Sequence, residues 1–473
     1  MAAIADLPLE ATLSEAAPLS RDERKLFSAF IALIVIVAFP GKFLFYIAPG
    51  ILILISLFAG GFIRFWRLMG IIFGIVALSL ATIAFDLEDG AHANISGLVF
   101  GVEGYLPIFI LWSLSKDFRV SEGLAWRLAT ACSVFIFLEA AIGSVQWAIT
   151  QDGDYVSGTL GLFDAVTREK TISQVNYCFT LFCMIVYCAI WIHKRRMKLG
   201  CGVALAAVFM ASTMHQTLFF MALLPALAVT GGRRFRLLAT SIGIMSIVFA
   251  STFFLDPEIV DNIDGWVDKV LAPNSPKQMS VTGALEMMQG KNLVLGVGLG
   301  QFSSRAAILS SGSGSSVNLP RLLADTSTYY ERFLKRPVFN YGQNGESSAM
   351  AMPYFSILSV ITEFGPVIAI IVLFKIVQTV IENIHLGATS HAAWRVSCYC
   401  NFLIGFLFLC SFIQNYLELT QAITIPILLY IVSKARLRAL AEGVSASEAA
   451  PFTPYREGAL AHDRTGKARR ESS

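Results

Sequence analysis

The chain has 473 residues, of which 55% are hydrophobic, 12% aromatic and only 15% charged, with a net charge of +3 and a mean hydropathy of +0.65. That balance excludes an ordinary soluble domain and points to an integral membrane protein. The small positive excess sits mostly in short Lys/Arg clusters beside apolar runs, so it reports topology and gives no reason to expect nucleic acid.

The first 20 residues carry acids and prolines with no basic region followed directly by an apolar stretch, and the leader is bounded at 1–25, before the first span. They read as a disordered cytosolic leader, not a signal peptide. Apolar runs long enough to cross about 30 Å of hydrocarbon then fall near 26–40, 43–62, 68–85, 97–114, 128–149 and 174–192, and again near 199–213, 216–230, 237–254, 354–378, 396–412 and 415–432. The predicted fold class is an all-α polytopic membrane protein of about twelve spans. Nine spans lie in 26–254 and three in 354–433, with a polar loop, 255–353, between them. The tail, 434–473, is read as disordered, because from 441 onward it is small, polar and charged with no apolar period. All eight cysteines (Cys132, Cys178, Cys183, Cys188, Cys201, Cys398, Cys400 and Cys410) lie in or beside apolar runs. A disulfide framework or a zinc site is not expected from that placement.

Basic residues order the spans. Arg21, Arg24 and Lys25 precede the first. Further clusters lie at Arg64 and Arg67, at Lys116, Arg119 and Arg127, at 193–198, at Arg233, Arg234 and Arg236, at Lys375 and Arg395, and at Lys434, Arg436 and Arg438. All fall on even-numbered boundaries or before span 1, which puts both termini in the cytosol and the 255–353 loop outside, in the periplasm of a bacterium. Spans 7 and 8 form a hairpin, because a single helix over 199–230 would place two basic clusters on opposite faces. Each arm is short for the bilayer, so the turn at 213–217, with His215 and Gln216, is expected below the outer surface, lining a wet or protein-walled cavity.

Ionisable groups inside spans are costly and face a cavity or a partner. Glu103, Glu139, Glu363 and Glu418 qualify, each with the plain alternative of a helix–helix hydrogen bond. In the long loop, Arg305, Arg321, Arg332, Lys335 and Arg336 suit a diphosphate, which arginine grips in bidentate fashion. Glu331 and Glu346 could take a proton from a sugar hydroxyl, and Tyr329, Tyr330, Tyr341 and Tyr354 could stack on sugar rings. The flexible run 310–316 (SSGSGSS) divides the loop into halves.

Two segments carry a family likeness. LVLGVGLGQF at 293–302, followed by PYFSILSVITEFGPVIAIIVLF at 353–374, resembles the core of the O-antigen ligase and polymerase superfamily, which reads "GxGLGxF" and then "PHNxYLxLLxExGLxG". Pro353, Leu358, Glu363 and Gly365 keep that pattern. The resemblance implies a C-type glycosyltransferase (GT-C) fold in a bacterial inner membrane. It implies a metal-independent reaction without a cofactor, in which an acceptor hydroxyl attacks the anomeric carbon of an undecaprenyl-diphosphate-linked glycan. It also implies a flippase and a chain-length regulator as partners. The chain departs from the pattern where family ligases carry histidine and asparagine, since it has Tyr354 and Phe355, and where many members carry an arginine it has His215-Gln216. The missing histidine favours a repeat-unit or exopolysaccharide polymerase over a ligase with a lipid or protein acceptor. A secondary transporter or flippase is a third reading, disfavoured by the long external loop. On the polymerase reading Glu346 is the base, with Tyr354 and Glu363 also at the reacting centre. Arg305 and Arg336 clamp the diphosphate, Arg321 and Arg332 are further substrate-binding residues, and His215 and Gln216 assist.

Overall fold

A computed structural model describes residues 19–38, 65–85 and most of 87–114, 120–151, 156–161, 170–191, scattered positions over 200–211, 214–230, 243, 275–310, 325–339 and 355–449. Among these residues the chain is helical and contains no strand. Its main helices are α1 (Arg21–Ala38), α2 (Phe65–Phe85), α3 (Ile95–Leu114), α4 (Glu122–Thr150), α5 (Lys170–Trp191), α6 (Met214–Thr230), α7 (Pro276–Met287), α8 (Arg305–Ser310), α9 (Ser356–Phe364), α10 (Pro366–Gly387), α11 (His391–Cys410) and α12 (Thr420–Ala449). Four of them, α2, α4, α10 and α11, are long and apolar enough to cross a membrane, and α3, α5 and α6 hold shorter apolar stretches. The expected spans at 43–62 and, apart from residue 243, 237–254 lie outside the described residues.

Burial follows the hydrophobic pattern. Residues 176–188 of α5 are buried on every face, including Tyr177, Phe179, Phe182 and Tyr187, as a helix apolar all round requires. It is the central post, packed by α4, α6, α11 and α12. An aromatic column runs along it: Phe182 stacks on Phe220 of α6 at 4.3 Å, and Phe179 stacks on Phe406 of α11 at 5.0 Å. By contrast α10 leaves Ile370, Phe374 and Val377 exposed, the signature of a face meant for lipid. A smaller second core joins α7, the 297–308 segment, Tyr330, Leu334 and Leu358.

Several boundaries differ from the sequence reading, each for a local reason. The leader ends earlier than residue 25, because Ser20 and Glu23 form a capping box: the Glu23 N–H donates to Ser20 Oγ (3.2 Å) and the Ser20 N–H to Glu23 Oε2 (3.0 Å). The tail begins later than 434, since α12 continues to Ala449 through a stretch of strong helix formers. Lys434 there pairs with Glu382 (3.1 Å) and Arg436 with Glu122 (3.1 Å). His215 and Gln216 lie in the first turn of α6 and not in a loop. The span expected at 354–378 is two helices, broken at Gly365, whose φ is +85°. Pro366 cannot continue the donor ladder and sits well as the first residue of α10.

Candidate functional site

The two segments that carried the family likeness meet. Glu363, at the end of α9, is buried, and its carboxylate accepts three backbone N–H groups: Gly300 (2.7 Å), Phe302 (3.1 Å) and Ser304 (3.1 Å). Its carbonyl accepts the Gly298 N–H at 3.0 Å, and that of Thr362 accepts the Val297 N–H at 2.9 Å. The backbone of 297–304 therefore wraps the carboxylate as a nest. Glycine is required at 300, where φ is +77° and a Cβ would fall against the carbonyl of Gly97 on α3. The family-like "GLG" is thus a backbone device that lets the loop lie flat on α3 and present N–H groups to Glu363.

A second buried carboxylate stands on the other side of the same strip. Glu418 Oε2 accepts the Arg305 N–H at 2.6 Å, the first donor of α8, while Oε1 accepts the Tyr105 hydroxyl of α3 at 3.1 Å. Glu418 lies in a short turn, Tyr416–Glu418, ahead of α12 and not within a span as the sequence suggested. Arg305 is also within electrostatic reach of Glu103, whose Oε1 is buried without a hydrogen-bond partner among the described residues.

The 411–419 turn is the hub. Asn415 Nδ2 donates to the Ser303 carbonyl (3.2 Å), Ser356 Oγ accepts the Leu417 N–H (2.9 Å), and the Ser356 N–H reaches the Gln414 carbonyl (3.2 Å). Tyr416 is fully buried below it, its ring tilted on Phe179 at 5.1 Å. The Tyr416 hydroxyl meets His215 Nε2 at 3.0 Å and accepts from Gln216 Nε2. That hydroxyl accepts from Gln216 and can give its own proton to His215 Nε2 when the imidazole is the tautomer protonated at Nδ1. Lys277, second residue of α7, donates to the Ile413 carbonyl and stands over the Phe355 ring at 5.4 Å from its centroid. Burial pushes its ammonium down from 10.5 to about 8.

Arg305, His215, Gln216, Glu363, Glu418 and Glu103 are therefore brought to one polar seam at the meeting of α3, α6, α8, α9 and the 411–419 turn. Other expected residues lie elsewhere or serve the fold. Glu139 accepts the Thr159 N–H (2.9 Å) and hydroxyl (2.5 Å), pinning a neighbouring turn. Glu331 pairs with Lys335 at 3.2 Å, Arg332 is exposed over the Phe333 ring, and Tyr330 is buried in the second core. Tyr329 accepts from Asn292 at 3.2 Å. Arg336 falls in the wide helical segment Glu331–Phe339. Arg321, Tyr341, Glu346 and Tyr354 lie outside the described residues.

Lys277, Asn415 and Tyr416 are members of the seam that the sequence reading missed. The signal for two of them was the polar run Gln414-Asn415-Tyr416 beside Glu418, within a stretch otherwise counted as the start of a span. Among the described residues no group of three or more His, Cys, Asp or Glu side chains is suited to a metal ion, and the eight cysteines are buried free thiols. The seam offers fixed cations, two carboxylates held by hydrogen bonds, and neutral donors and acceptors, a set that can bind an anion and orient hydroxyl groups. No family model, curated protein or solved structure matches the chain.

Proposed function

We propose that this chain is a glycosyltransferase of a bacterial inner membrane that polymerises lipid-linked polysaccharide repeat units. The donor glycan is carried on undecaprenyl diphosphate, the acceptor is a sugar hydroxyl, and the reaction runs at the periplasmic face of a bundle of about twelve spans. The observation that carries the reading is the joining of 297–304 to Glu363, since these are the two segments through which the sequence resembles the ligase and polymerase superfamily. Beside that join stands Arg305, a cation that suits a diphosphate leaving group.

In the reaction the acceptor oxygen forms its bond to the anomeric carbon as the bond from that carbon to the diphosphate oxygen breaks. The lipid diphosphate takes the bonding pair, and the acceptor proton passes to a base. Charge grows on the leaving oxygen, and Arg305 lowers the barrier by stabilising it. Arg336 is the second clamp and Glu346 the base in this scheme. Glu363 acts differently from Glu346: its carboxylate is taken up by backbone donors, so its part is to hold Arg305 in place through the 297–304 strip.

The test is gel analysis of surface polysaccharide and lipid-linked intermediates from a deletion strain. Single repeat units accumulating on the lipid carrier are expected. Lipid-linked polymer would instead indicate a ligase, and precursors retained on the cytosolic face a flippase.

A further inference from the structure

Lys277 is a buried cation with no anion beside it among the described residues. Its side chain meets a carbonyl and an aromatic ring, and among the described residues no carboxylate lies within ion-pair distance. It also stands at the wrong end of its helix. It occupies the first turn of α7, where the Ser275 side chain and carbonyl take the N–H groups of Gln278 and Met279 and the macrodipole is positive. Desolvation, a missing counter-ion and the dipole all act against this ammonium, and an anion seated against it relieves all three.

The residues that follow its carbonyl partner in the chain describe what that anion is attached to. Ile413, its carbonyl partner, is followed by Gln414 and Asn415. Both side-chain carbonyl oxygens, Gln414 Oε1 and Asn415 Oδ1, are buried with no hydrogen-bond partner among the described residues, and Asn415 is only 3% exposed. His215, within electrostatic reach of Lys277, is buried in its bond with Tyr416. A buried acceptor without a donor is expensive, and it calls for hydroxyl or amide donors.

We infer that Lys277, Gln414 and Asn415 form a glycosyl-phosphate site, in which Lys277 takes the phosphate and the two amide oxygens accept hydroxyls of the attached sugar. The inference rests on the glycosyltransferase reading for the identity of the sugar carrier, and its anion-binding half stands on the geometry alone. It assigns the phosphate a lysine from α7 in addition to the arginines of the loop. The chemistry is shared by a lipid-linked diphosphate and a soluble sugar phosphate, and the experiment separates the two.

The full chain, in nanodiscs of uncharged phosphatidylcholine, is titrated with inorganic pyrophosphate and with farnesyl diphosphate, read by calorimetry and thermal midpoint. Both probes are expected to bind and stabilise the wild type. Tighter binding of farnesyl diphosphate marks the lipid source, and equal or weaker binding the soluble one. Lys277→Met is expected to weaken both probes at least tenfold while its ligand-free midpoint stays equal or rises, since the unpaired charge is gone. Lys277→Arg keeps binding. Asn415→Asp puts a negative charge among the site's acceptors and is expected to weaken pyrophosphate tenfold or more, while the loss of its donation to the Ser303 carbonyl lowers the ligand-free midpoint.

Unchanged probe binding in Lys277→Met, or no binding of either probe to wild type, overturns the site. So does an Asn415→Asp variant whose pyrophosphate affinity is unaltered. Loss of binding in Lys277→Met together with normal polysaccharide in the deletion strain keeps the anion site and removes the glycosyltransferase reading. The reverse pair of results keeps that reading and removes the site.

Discussion

Glu363 and Lys277 show opposite solutions for a buried charge. The carboxylate of Glu363 is met by three N–H donors, and hydrogen bonds to a charged group are each worth roughly 1.5–3 kcal/mol net. Glu363→Gln keeps the shape but turns an amide NH2 toward those donors, so a loss of about 2–4 kcal/mol in stability is expected, seen as a lower thermal midpoint in detergent. Wild-type stability with abolished glycan transfer would show that Glu363 is a reacting group and not a positioning one. Lys277 has no such company, and its folded pKa of about 8 lies below the ordinary 10.5. Between those values the unfolded chain binds the proton more readily than the folded one, so stability rises with pH across that window and the full penalty is present below it. The gain is on the order of 3 kcal/mol. Thermal midpoints compared at neutral pH and near pH 10 read it. Lys277→Met is expected to lose that slope, and a slope unchanged in the variant would assign it to other groups.

At the level of elements, the decisive event is the break between α9 and α10. Hydropathy runs without interruption across Glu363-Phe-Gly-Pro366, so a reading by apolar length joins the two helices and leaves Glu363 inside a span. The Gly365-Pro366 pair was the legible signal against it, since glycine supplies the positive φ and proline starts a new helix. The break frees α9 to lie beside the 297–304 strip while α10 turns its apolar face outward. A Cβ at 365 would meet the Val294 carbonyl oxygen at 2.5 Å with φ at +85°. Gly365→Ala is therefore expected to cost about 1–3 kcal/mol in backbone strain alone and to lower the thermal midpoint. Gly443→Ala, where nothing lies within 4 Å, serves as the neutral control, and an equal fall in both variants would refute the account. The segments 293–302 and 355–365 stood out in the sequence because glycine spacing and a following Glu are local features, while their pairing through Glu363 did not. The 411–419 hub was not legible, because its importance comes from contacts with residues about 60 to more than 200 positions away, and no local period announces those.

For the whole molecule, the two ends of the bundle carry different polar chemistry. One end is the seam, with Arg305, Lys277 and buried carboxylates. The other is an ion-pair lock in which Lys434 and Arg438 share Glu382, and Arg436 meets Glu122. That lock spends cations on which the positive-inside reading depends, yet the rule counts Lys and Arg near span ends and gives Asp and Glu little weight. The orientation with the lock in the cytosol therefore stands as the expectation, and it is open to a direct test. The native cysteines are buried, so a membrane-impermeant maleimide has little background on the intact protein. Leu285, 70% exposed on α7, and Gly443, with open space around it, are suitable reporters for the two ends. Leu285→Cys is expected to label in intact cells whose outer membrane alone has been opened, and Gly443→Cys only after the inner membrane is permeabilised. Labelling of both from the same side would break the topology, because α7 belongs to the loop expected outside and α12 to the end expected in the cytosol. The opposite pattern, with Gly443→Cys labelled first, would put the seam in the cytosol, away from the lipid-linked repeat units a polymerase needs.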